Sequence, residues 1–334
     1  MHEVDLSKYD LRTDLIIEKN INDIKTDHYE EDNIIIDDIT LDKENKLGKK
    51  EGKYLTISFS DVTDTVNYQN VLKVFHKELS KMLEYCNIKN DDTCLIIGLG
   101  NPNIISDALG SKALKNIIVT RHLYLLNNVD KKYRNTSILE PNVIGITGIE
   151  SFEIIKNIVN EIKPNFIIAI DSLCAMNIKR LNKTIQISSS GITPGSGVGN
   201  EKEELSYETL GVPVIAIGIP TVVDSTVIVA DTINYLIQKI SYMKENIHNN
   251  QDKLKPINKI NYLKKTKELT EKERQELLGY IGLLNEDDLK SLILEVQTPI
   301  DARMIVTTKE IDFLIDKLSK LISEGINKCL HNID

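Results

Sequence analysis

Residues 166–172 read Phe-Ile-Ile-Ala-Ile-Asp-Ser, and this stretch decides the fold that the sequence predicts. An apolar run without polar alternation indicates a strand that is buried on both faces. Asp171 follows this run directly. Buried strands alternating with helices are typical of a parallel sheet in an α/β protein, where ligands bind at the carboxyl ends of the strands. The polar residues that follow each strand are therefore the candidates for function.

The same alternation extends along the chain on both sides of this stretch. Short apolar segments predict strands, and apolar residues at helical spacing predict helices. The strands are predicted over 54–59, 94–98, 117–120, 142–146, 166–170, 184–187 and 214–217. The helices are predicted over 71–85, 107–114, 151–162, 224–240, 270–281, 286–296 and 309–330. Thr270 and Glu273 have the spacing of a capping box.

These elements predict an α/β fold with a mostly parallel twisted sheet, helices on both faces and a C-terminal helical appendage. The charged segment 37–50 indicates a solvated loop or an edge hairpin. We expect one domain over 15–334, with its core over about 52–242 and the appendage over about 262–330.

Composition excludes several classes of protein. The chain has 334 residues, of which 41% are hydrophobic, and a net charge of -9, which argues against a broad surface for nucleic acid. No apolar run reaches the roughly 18 residues that span a bilayer, and residues 1–14 are too polar for a secretory signal. We therefore expect a cytoplasmic protein. Its scattered cysteines predict free thiols; they are Cys86, Cys94, Cys174 and Cys329.

Two aspartates follow predicted strands. Asp107 begins the predicted helix after the glycine turn 98–101. A dinucleotide fingerprint fails there, because Asn103 stands where the third glycine belongs. Asp107 is either a helix cap or a catalytic carboxylate. Asp171 is either a cap on the next turn or a partly desolvated carboxyl suited to acid–base work.

A glycine-rich segment over 191–200 reads Gly-Ile-Thr-Pro-Gly-Ser-Gly-Val-Gly-Asn. Its backbone amides suit a phosphate, a substrate backbone or an oxyanion, and the alternative is a flexible surface loop. No Lys-Ser/Thr pair follows as in a P-loop. His122 is either part of the site or a structural polar residue. A nucleophile pair of Cys174 with His122 competes with a buried, inert cysteine.

Taken together and in order, these segments resemble the germination protease family of endospore-forming bacteria, over nearly the whole chain. The matching stretches are Asp10-Leu-Arg-Thr-Asp-Leu15, Gly98-Leu-Gly-Asn101, Asp107-Ala-Leu-Gly110, Thr120-Arg-His-Leu123, Gly145-Ile-Thr-Gly-Ile-Glu150, Ile168-Ala-Ile-Asp-Ser172, Pro194-Gly-Ser-Gly-Val-Gly-Asn200 and Tyr207-Glu-Thr-Leu-Gly-Val-Pro-Val-Ile-Ala-Ile-Gly-Ile-Pro-Thr-Val-Val-Asp224.

The resemblance implies an endopeptidase that degrades small acid-soluble spore proteins during germination. It also implies a zymogen, a homotetramer, a place in the forespore and spore core, and a fold similar to hydrogenase-maturation endopeptidases. Neither nucleic acid nor a membrane is expected as a direct partner. The family's two catalytic aspartates match Asp107 and Asp171. Family substrates are cut after an acidic residue and before an apolar one, with Glu nearby.

The segment Thr13-Asp14-Leu15-Ile16-Ile17-Glu18 has this same character. It predicts self-cleavage between Asp14 and Leu15, with residues 1–14 as a propeptide that is exposed because it is polar. The predicted substrate or oxyanion loop consists of Gly195, Ser196, Gly197, Gly199 and Asn200, and the accessory residues are Asn101, His122 and Lys202.

The chain departs from the family pattern at two positions. Ser111 stands where relatives often have proline, and Lys202 stands where they often carry an arginine, whose bidentate fork lysine lacks.

The working hypothesis is general acid–base hydrolysis by the two aspartates without a cofactor. One alternative is a metal-dependent peptidase, in which Asp107, Asp171 and His122 bind a divalent ion. A second is a non-catalytic binder of the same spore proteins. A nucleotide-dependent oxidoreductase is disfavoured by the failed glycine spacing.

Overall fold

The structure is a computed structural model, and it describes residues 12–19, 24–43, 45, 47–196, 203–246, 269–298 and 304–333. The strands are β1 Thr26–Glu31, β2 Ile34–Leu41, β3 Gly52–Ser58, β4 Cys94–Gly98, β5 Thr136–Leu139, β6 Phe166–Ala175, β7 Thr184–Ser188, β8 Val214–Asp224 and β9 Ile305–Val306. The helices are α1 Thr65–Tyr85, α2 Leu109–Leu114, α3 Arg121–Leu125, α4 Ile144–Thr147, α5 Ser151–Ile162, α6 Tyr207–Leu210, α7 Ser225–Asn246, α8 Glu271–Leu278, α9 Glu286–Gln297 and α10 Ile311–Leu330.

The described strands form one mixed sheet in the order β1-β2-β3-β7-β8-β6-β4-β5, and β9 pairs with β8. The neighbours among β8, β6, β4 and β5 are parallel. The neighbours among β1, β2, β3, β7 and β8 are antiparallel. The prediction of a mostly parallel sheet is therefore wrong for one half. Residues 176–183 join β6 to β7, and so short a link lacks the helical crossover that a parallel return needs.

Helices cover both faces of this sheet, as the sequence predicts. On one face, α1, α2 and α10 bury side chains against the even-numbered residues of β6, including Ile168 and Ile170. On the other face, α5 packs against Ile167 and Ala169 of the same strand. The three inner strands of the parallel half, β4, β6 and β8, thus bury both of their faces, which is why their sequences are apolar without alternation.

The described residues divide into two compact units, one within 224–305 and the other within 12–223 and 306–333. The first contains α7, α8 and α9, with Ala230, Leu289 and Ile293 in its core. The capping box of Thr270 and Glu273 is confirmed at the start of α8. The second contains α10, which packs on α1 and α2. The sequence predicts this helix to be part of the C-terminal appendage. None of the described helices has the length and apolar character that would let it cross a membrane.

Several predicted elements are confirmed and two are wrong. The strand over 94–98 and the helix over 151–162 agree residue for residue. Residues 117–120 form no strand, and residues 144–147 are the short helix α4. Ile144 and Ile146 are exposed there. Their apolar side chains therefore do not mark a buried strand, which is why the strand predicted over 142–146 is wrong. The prediction of free cysteines is confirmed for all four.

Candidate active site

Asp107 lies in the loop that follows β4, at the end of a short 3-10 helix over Ile105–Asp107. Its Oδ2 accepts the backbone N–H of Asn101 at 2.8 Å. Gly100 makes this approach possible, since its φ is +96° and a Cβ there would lie 2.0 Å from the Asp107 carbonyl oxygen. Ala108 occupies the N-cap position of α2 without a side-chain cap. The carboxylate of Asp107 is therefore held by the glycine turn and does not cap the helix.

Asp171 lies in β6 immediately after Ile170 and is 6% exposed. Ser172 donates its backbone N–H to Oδ1 of Asp171 at 2.9 Å. The start of α2 packs directly on this strand end, because a Cβ on Gly110 would lie 2.6 Å from the Ile170 carbonyl oxygen. β4 and β6 are parallel neighbours. Asp171 is the first residue of β6 beyond the stretch paired with β4, because Gly98 at the end of β4 pairs with Ile170. β6 itself continues to Ala175, so the prediction that this strand ends before Asp171 is wrong. Both aspartates therefore lie beyond the carboxyl end of β4, and ligands bind at such ends in parallel sheets.

A row of residues runs from Asp171 across the sheet to the antiparallel half. Asp171 pairs with Gly218 of β8, and Gly218 pairs with Gln186 of β7. Paired residues on neighbouring strands share a face, and the adjacent Ile170 and Ile217 belong to the core of the opposite face. Asp171 and Gln186 therefore project from the same face, with their Cα atoms about 10 Å apart at two strand spacings.

The N-terminal segment 13–18 lies on this same face. The backbone N–H of Asp14 donates to the Cys174 carbonyl oxygen at 3.1 Å, and the Cys174 N–H donates to Oδ2 of Asp14 at 2.8 Å. Leu15 and Ile16 are 0% exposed, and Ile16 packs on Ile39, Leu41 and Tyr54. Of residues 1–14, for which we expect exposure, the structure describes only 12–14, and Thr13 is buried there. The two apolar side chains after the proposed cleavage site are buried against the sheet.

The side chain of Gln186 forms hydrogen bonds with the segment on both sides of Leu15. Its Nε2 donates to the carbonyl oxygen of Asp14 at 3.0 Å. Its Oε1 accepts the N–H of Ile16 at 2.7 Å. The side chain is 8% exposed, so these bonds are well shielded from water. The Asp14–Leu15 peptide bond is thereby fixed between β6 and β7.

The acidic side chain of Asp14 has its own partners. Ser196 donates its hydroxyl to Oδ1 of Asp14 at 2.6 Å, while the Cys174 N–H binds the other oxygen. Burial lowers the pKa of the Lys49 ammonium, and the negative charge of Asp14 acts on that pKa in the opposite direction. Asp14 is therefore held by one hydroxyl, one backbone amide and a nearby cation.

The carboxylate of Glu18 is held further along the segment. Met176 donates its backbone N–H to Oε2 at 2.7 Å, and Nε of Arg180 lies 3.7 Å from Oε1. The hydroxyl of Thr13 also donates to Glu18. The side chains of Asp14 and Glu18, four positions apart, thus bind the segment to residues that follow Asp171 in the chain.

Part of the predicted glycine loop is described, over residues 191–196. Thr193, Pro194, Gly195 and Ser196 form a turn, with the Ser196 N–H donating to the Thr193 carbonyl oxygen at 3.3 Å. Gly195 has a φ of +76°, as the third residue of a type II turn requires. This turn points the Ser196 hydroxyl at Asp14. Gly197, Gly199, Asn200 and Lys202 lie outside the described residues, and their roles stay predictions.

The two other accessory candidates have different locations. Asn101 binds Asp107 through its backbone N–H, while its own Oδ1 accepts the N–H of Asn103. His122 is exposed on α3. The N-cap residue of α3, Thr120, donates its backbone N–H to the Thr136 carbonyl oxygen at the beginning of β5. His122 therefore lies near the amino ends of the parallel strands, whereas the two aspartates lie beyond the carboxyl end of β4.

This placement bears on two alternatives. Cys174 is buried beside Asp14, so it does not share an end of the sheet with His122. Within the described part of the chain, no group of three His, Cys, Asp or Glu side chains is arranged to hold a metal ion. The predicted metal set of Asp107, Asp171 and His122 is therefore not brought together in the described residues.

The sequence around Gln186 contains a signal that points to this residue. Thr184–Ser188 alternates, with Ile185 and Ile187 on the core face and an amide between them. An uncharged polar residue in the middle of a buried strand needs a hydrogen-bond partner. Met176 and Arg180 gave no comparable signal, because they lie in the connection between β6 and β7 and not in a buried strand.

The comparisons with known proteins agree on one family. The family model described as "Germination protease" matches residues 4–333. A germination protease of Bacillus licheniformis is 42% identical, covering 98% of this chain and 95% of that protein. Germination proteases of Bacillus thuringiensis and Bacillus cereus are each 41% identical, covering 98% of this chain and 96% of each protein.

Proposed function

This chain belongs to the germination protease family, and on that premise we propose an endopeptidase that degrades small acid-soluble spore proteins. The peptidase class and the link to germination follow from the family and its relatives. The substrates, the zymogen form and the catalytic aspartates are our proposal. The docked N-terminal segment is the observation that carries it.

The intact chain is proposed to be a zymogen that holds its own cleavage site. The Asp14–Leu15 bond is bound by Cys174 and Gln186 on the face that also carries Asp171. A segment held in this way occupies the position that a substrate chain would take. Until it is cleaved, it therefore blocks access of substrate to the site. Cleavage within one chain should follow first-order kinetics that are independent of protein concentration.

The proposed chemistry is general acid–base hydrolysis by Asp107 and Asp171. One carboxylate takes a proton from a water molecule, whose oxygen attacks the Asp14 carbonyl carbon. The other, protonated, carboxyl gives its proton to the Leu15 nitrogen as the C–N bond breaks. The products are the Asp14 carboxylate and the Leu15 amine. Acid favours the protonated partner, which supports maturation at low pH.

Mass spectrometry of the purified full chain after mild acid treatment tests this proposal. We expect loss of residues 1–14, at a rate that does not change on tenfold dilution. An unchanged mass, with retained binding of a spore-protein substrate, would favour the non-catalytic binder. Cleavage at another bond would contradict the assignment of Asp14 and Leu15.

The same assay distinguishes the metal-dependent alternative. We expect the rate to be unchanged after treatment with a chelator, because two carboxyls supply both proton transfers. Loss of processing with chelator and its return with a divalent ion would replace the acid–base mechanism with a metal-assisted one. We further propose a homotetramer in the forespore, and light scattering of the purified chain measures its assembly.

A further inference from the structure

Gln186 contacts the reacting group of the proposed cleavage, and no other part of the mechanism explains this contact. Its Nε2 donates to the carbonyl oxygen of Asp14 at 3.0 Å. That oxygen belongs to the peptide bond that is proposed to be cut. The donor is a neutral amide on a rigid strand, and it is 8% exposed.

We propose that Gln186 is a catalytic residue that stabilises the oxyanion formed on the carbonyl of the bond being cleaved. This inference rests on the proposed function, since it takes the Asp14–Leu15 bond as the cleaved bond. It assigns to a strand residue the role that the sequence gave to the glycine loop.

The chemistry requires a donor at this oxygen. When the oxygen of water attacks the carbonyl carbon, the π electrons of the C=O bond move to the oxygen, which becomes negative. A hydrogen-bond donor already aimed at that oxygen, in a site shielded from water, is worth more in the transition state than in the ground state. When the C–N bond breaks, the carbonyl re-forms and the proton from the acid goes to the Leu15 nitrogen.

The orientation of the amide is fixed by its second contact. Oε1 of Gln186 accepts the Ile16 N–H at 2.7 Å, so the opposite end of the amide must present its N–H groups to Asp14. Gln186 and Asp171 project from the same face on either side of Gly218. Asp14 therefore lies on the face that carries both Gln186 and Asp171, with the Gln186 amide as the donor to its carbonyl oxygen.

Gln186→Glu separates this role from a structural one. The introduced carboxyl keeps an oxygen that accepts the Ile16 N–H, and it replaces the donor with a second oxygen. The matched control is Gln69→Glu, which makes the same change at an exposed position of α1. The readout is the first-order rate of loss of residues 1–14 from the full chain, measured by mass spectrometry between pH 4 and pH 8 (a range set by roughly the carboxyl and histidine pKa values).

We expect Gln186→Glu to slow processing by about 10²–10³-fold at neutral pH, as loss of one oxyanion donor does. As the pH falls, the introduced carboxyl gains a proton and can donate again. The ratio of the wild-type rate to the variant rate should therefore shrink towards low pH. Gln69→Glu should process at the wild-type rate throughout.

Three results would overturn the role of Gln186. They are a Gln186→Glu rate within about threefold of wild type, a rate ratio that stays constant with pH, and an equal loss in Gln69→Glu. Gln186→Met, which removes both contacts, gives a second test if Gln186→Glu unfolds, because it should lose activity without any recovery in acid. If the wild-type chain itself keeps residues 1–14, the proposed function fails, and that outcome is distinct from failure of this inference.

Discussion

The two halves of the sheet differ in how they are built and in what they hold. In the parallel half, β4 and β6 are buried on both faces. Asp107 follows the end of β4, and Asp171 lies within β6 just beyond the stretch that pairs with β4. In the antiparallel half, β7 and β3 bury one face in the main core and turn the other towards the N-terminal segment. The parallel half thus carries the carboxyls of the proposed chemistry, and both halves bind the chain to be cut, through Cys174 of β6 and Gln186 of β7. Gly218 of β8 lies between them.

The largest effect should come from the carboxyls of the parallel half. Asp171→Asn and Asp107→Asn each keep the side-chain shape but remove a group that transfers protons. We expect each to slow loss of residues 1–14 by roughly 10²–10⁴-fold, the usual share of general acid–base catalysis. The measurement is the first-order rate in acid, followed by mass spectrometry.

The control for these variants lies in the other half. Asp38→Asn removes a carboxyl of β2 that pairs with Lys53 at 2.8 Å, and it should process at nearly the wild-type rate. Full activity in either Asp171→Asn or Asp107→Asn would end the assignment of chemistry to the parallel half.

The next effect concerns the glycine turn that positions Asp107. Gly100→Ala would put a Cβ 2.0 Å from the Asp107 carbonyl oxygen, at a φ of +96° that alanine avoids. The backbone must shift, and a displacement of about 1 Å costs roughly 10²-fold in rate. Gly145→Ala, whose Cβ would meet nothing within 4 Å, is the control. Equal rates for the two variants would show that the turn does not position the carboxyl.

A smaller effect tests the apolar anchor in the antiparallel half. Ile16→Ala removes a fully buried side chain and should weaken docking of the segment by about 2–4 kcal/mol. Hydrogen exchange of the Asp14 and Ile16 amides measures this local opening. Ile35→Ala, at a 38% exposed position of β2, should leave that exchange nearly unchanged. Unchanged exchange in Ile16→Ala would mean that polar contacts alone hold the segment.

The smallest effect concerns the acidic side chain before the cleaved bond. Ser196→Ala removes the hydroxyl that donates to Asp14 at 2.6 Å. A hydrogen bond to a charged group contributes about 1.5–3 kcal/mol, and the Cys174 amide remains, so we expect processing to slow by about tenfold. Ser190→Ala, whose hydroxyl binds Tyr54 and Ser188 instead, should process normally. Equal rates would remove Ser196 from the substrate contacts.

The sequence was informative where burial is two-sided. The strand over 94–98 and the helix over 151–162 were predicted at their observed bounds, because apolar runs and helical spacing report burial directly. The strand predicted over 166–170 begins where expected but continues to Ala175, past the polar residues Asp171 and Ser172. β1 was not predicted, and β2 fell partly in a segment interpreted as a loop or edge hairpin. Residues of β1 such as Asp27 and Glu30 are exposed, so an edge strand of this kind resembles a loop in composition.

The sequence by itself determined the α/β class, the order of the motifs and the two candidate carboxyls, since each depends on local pattern. Only the tertiary structure decided the antiparallel half, the burial of Leu15 and Ile16, and the contact of Gln186 with Asp14. The partners in that contact are separated by 172 positions in the chain. Their meeting depends on strand order and register, which are set by packing of the whole sheet and leave no trace in any single segment.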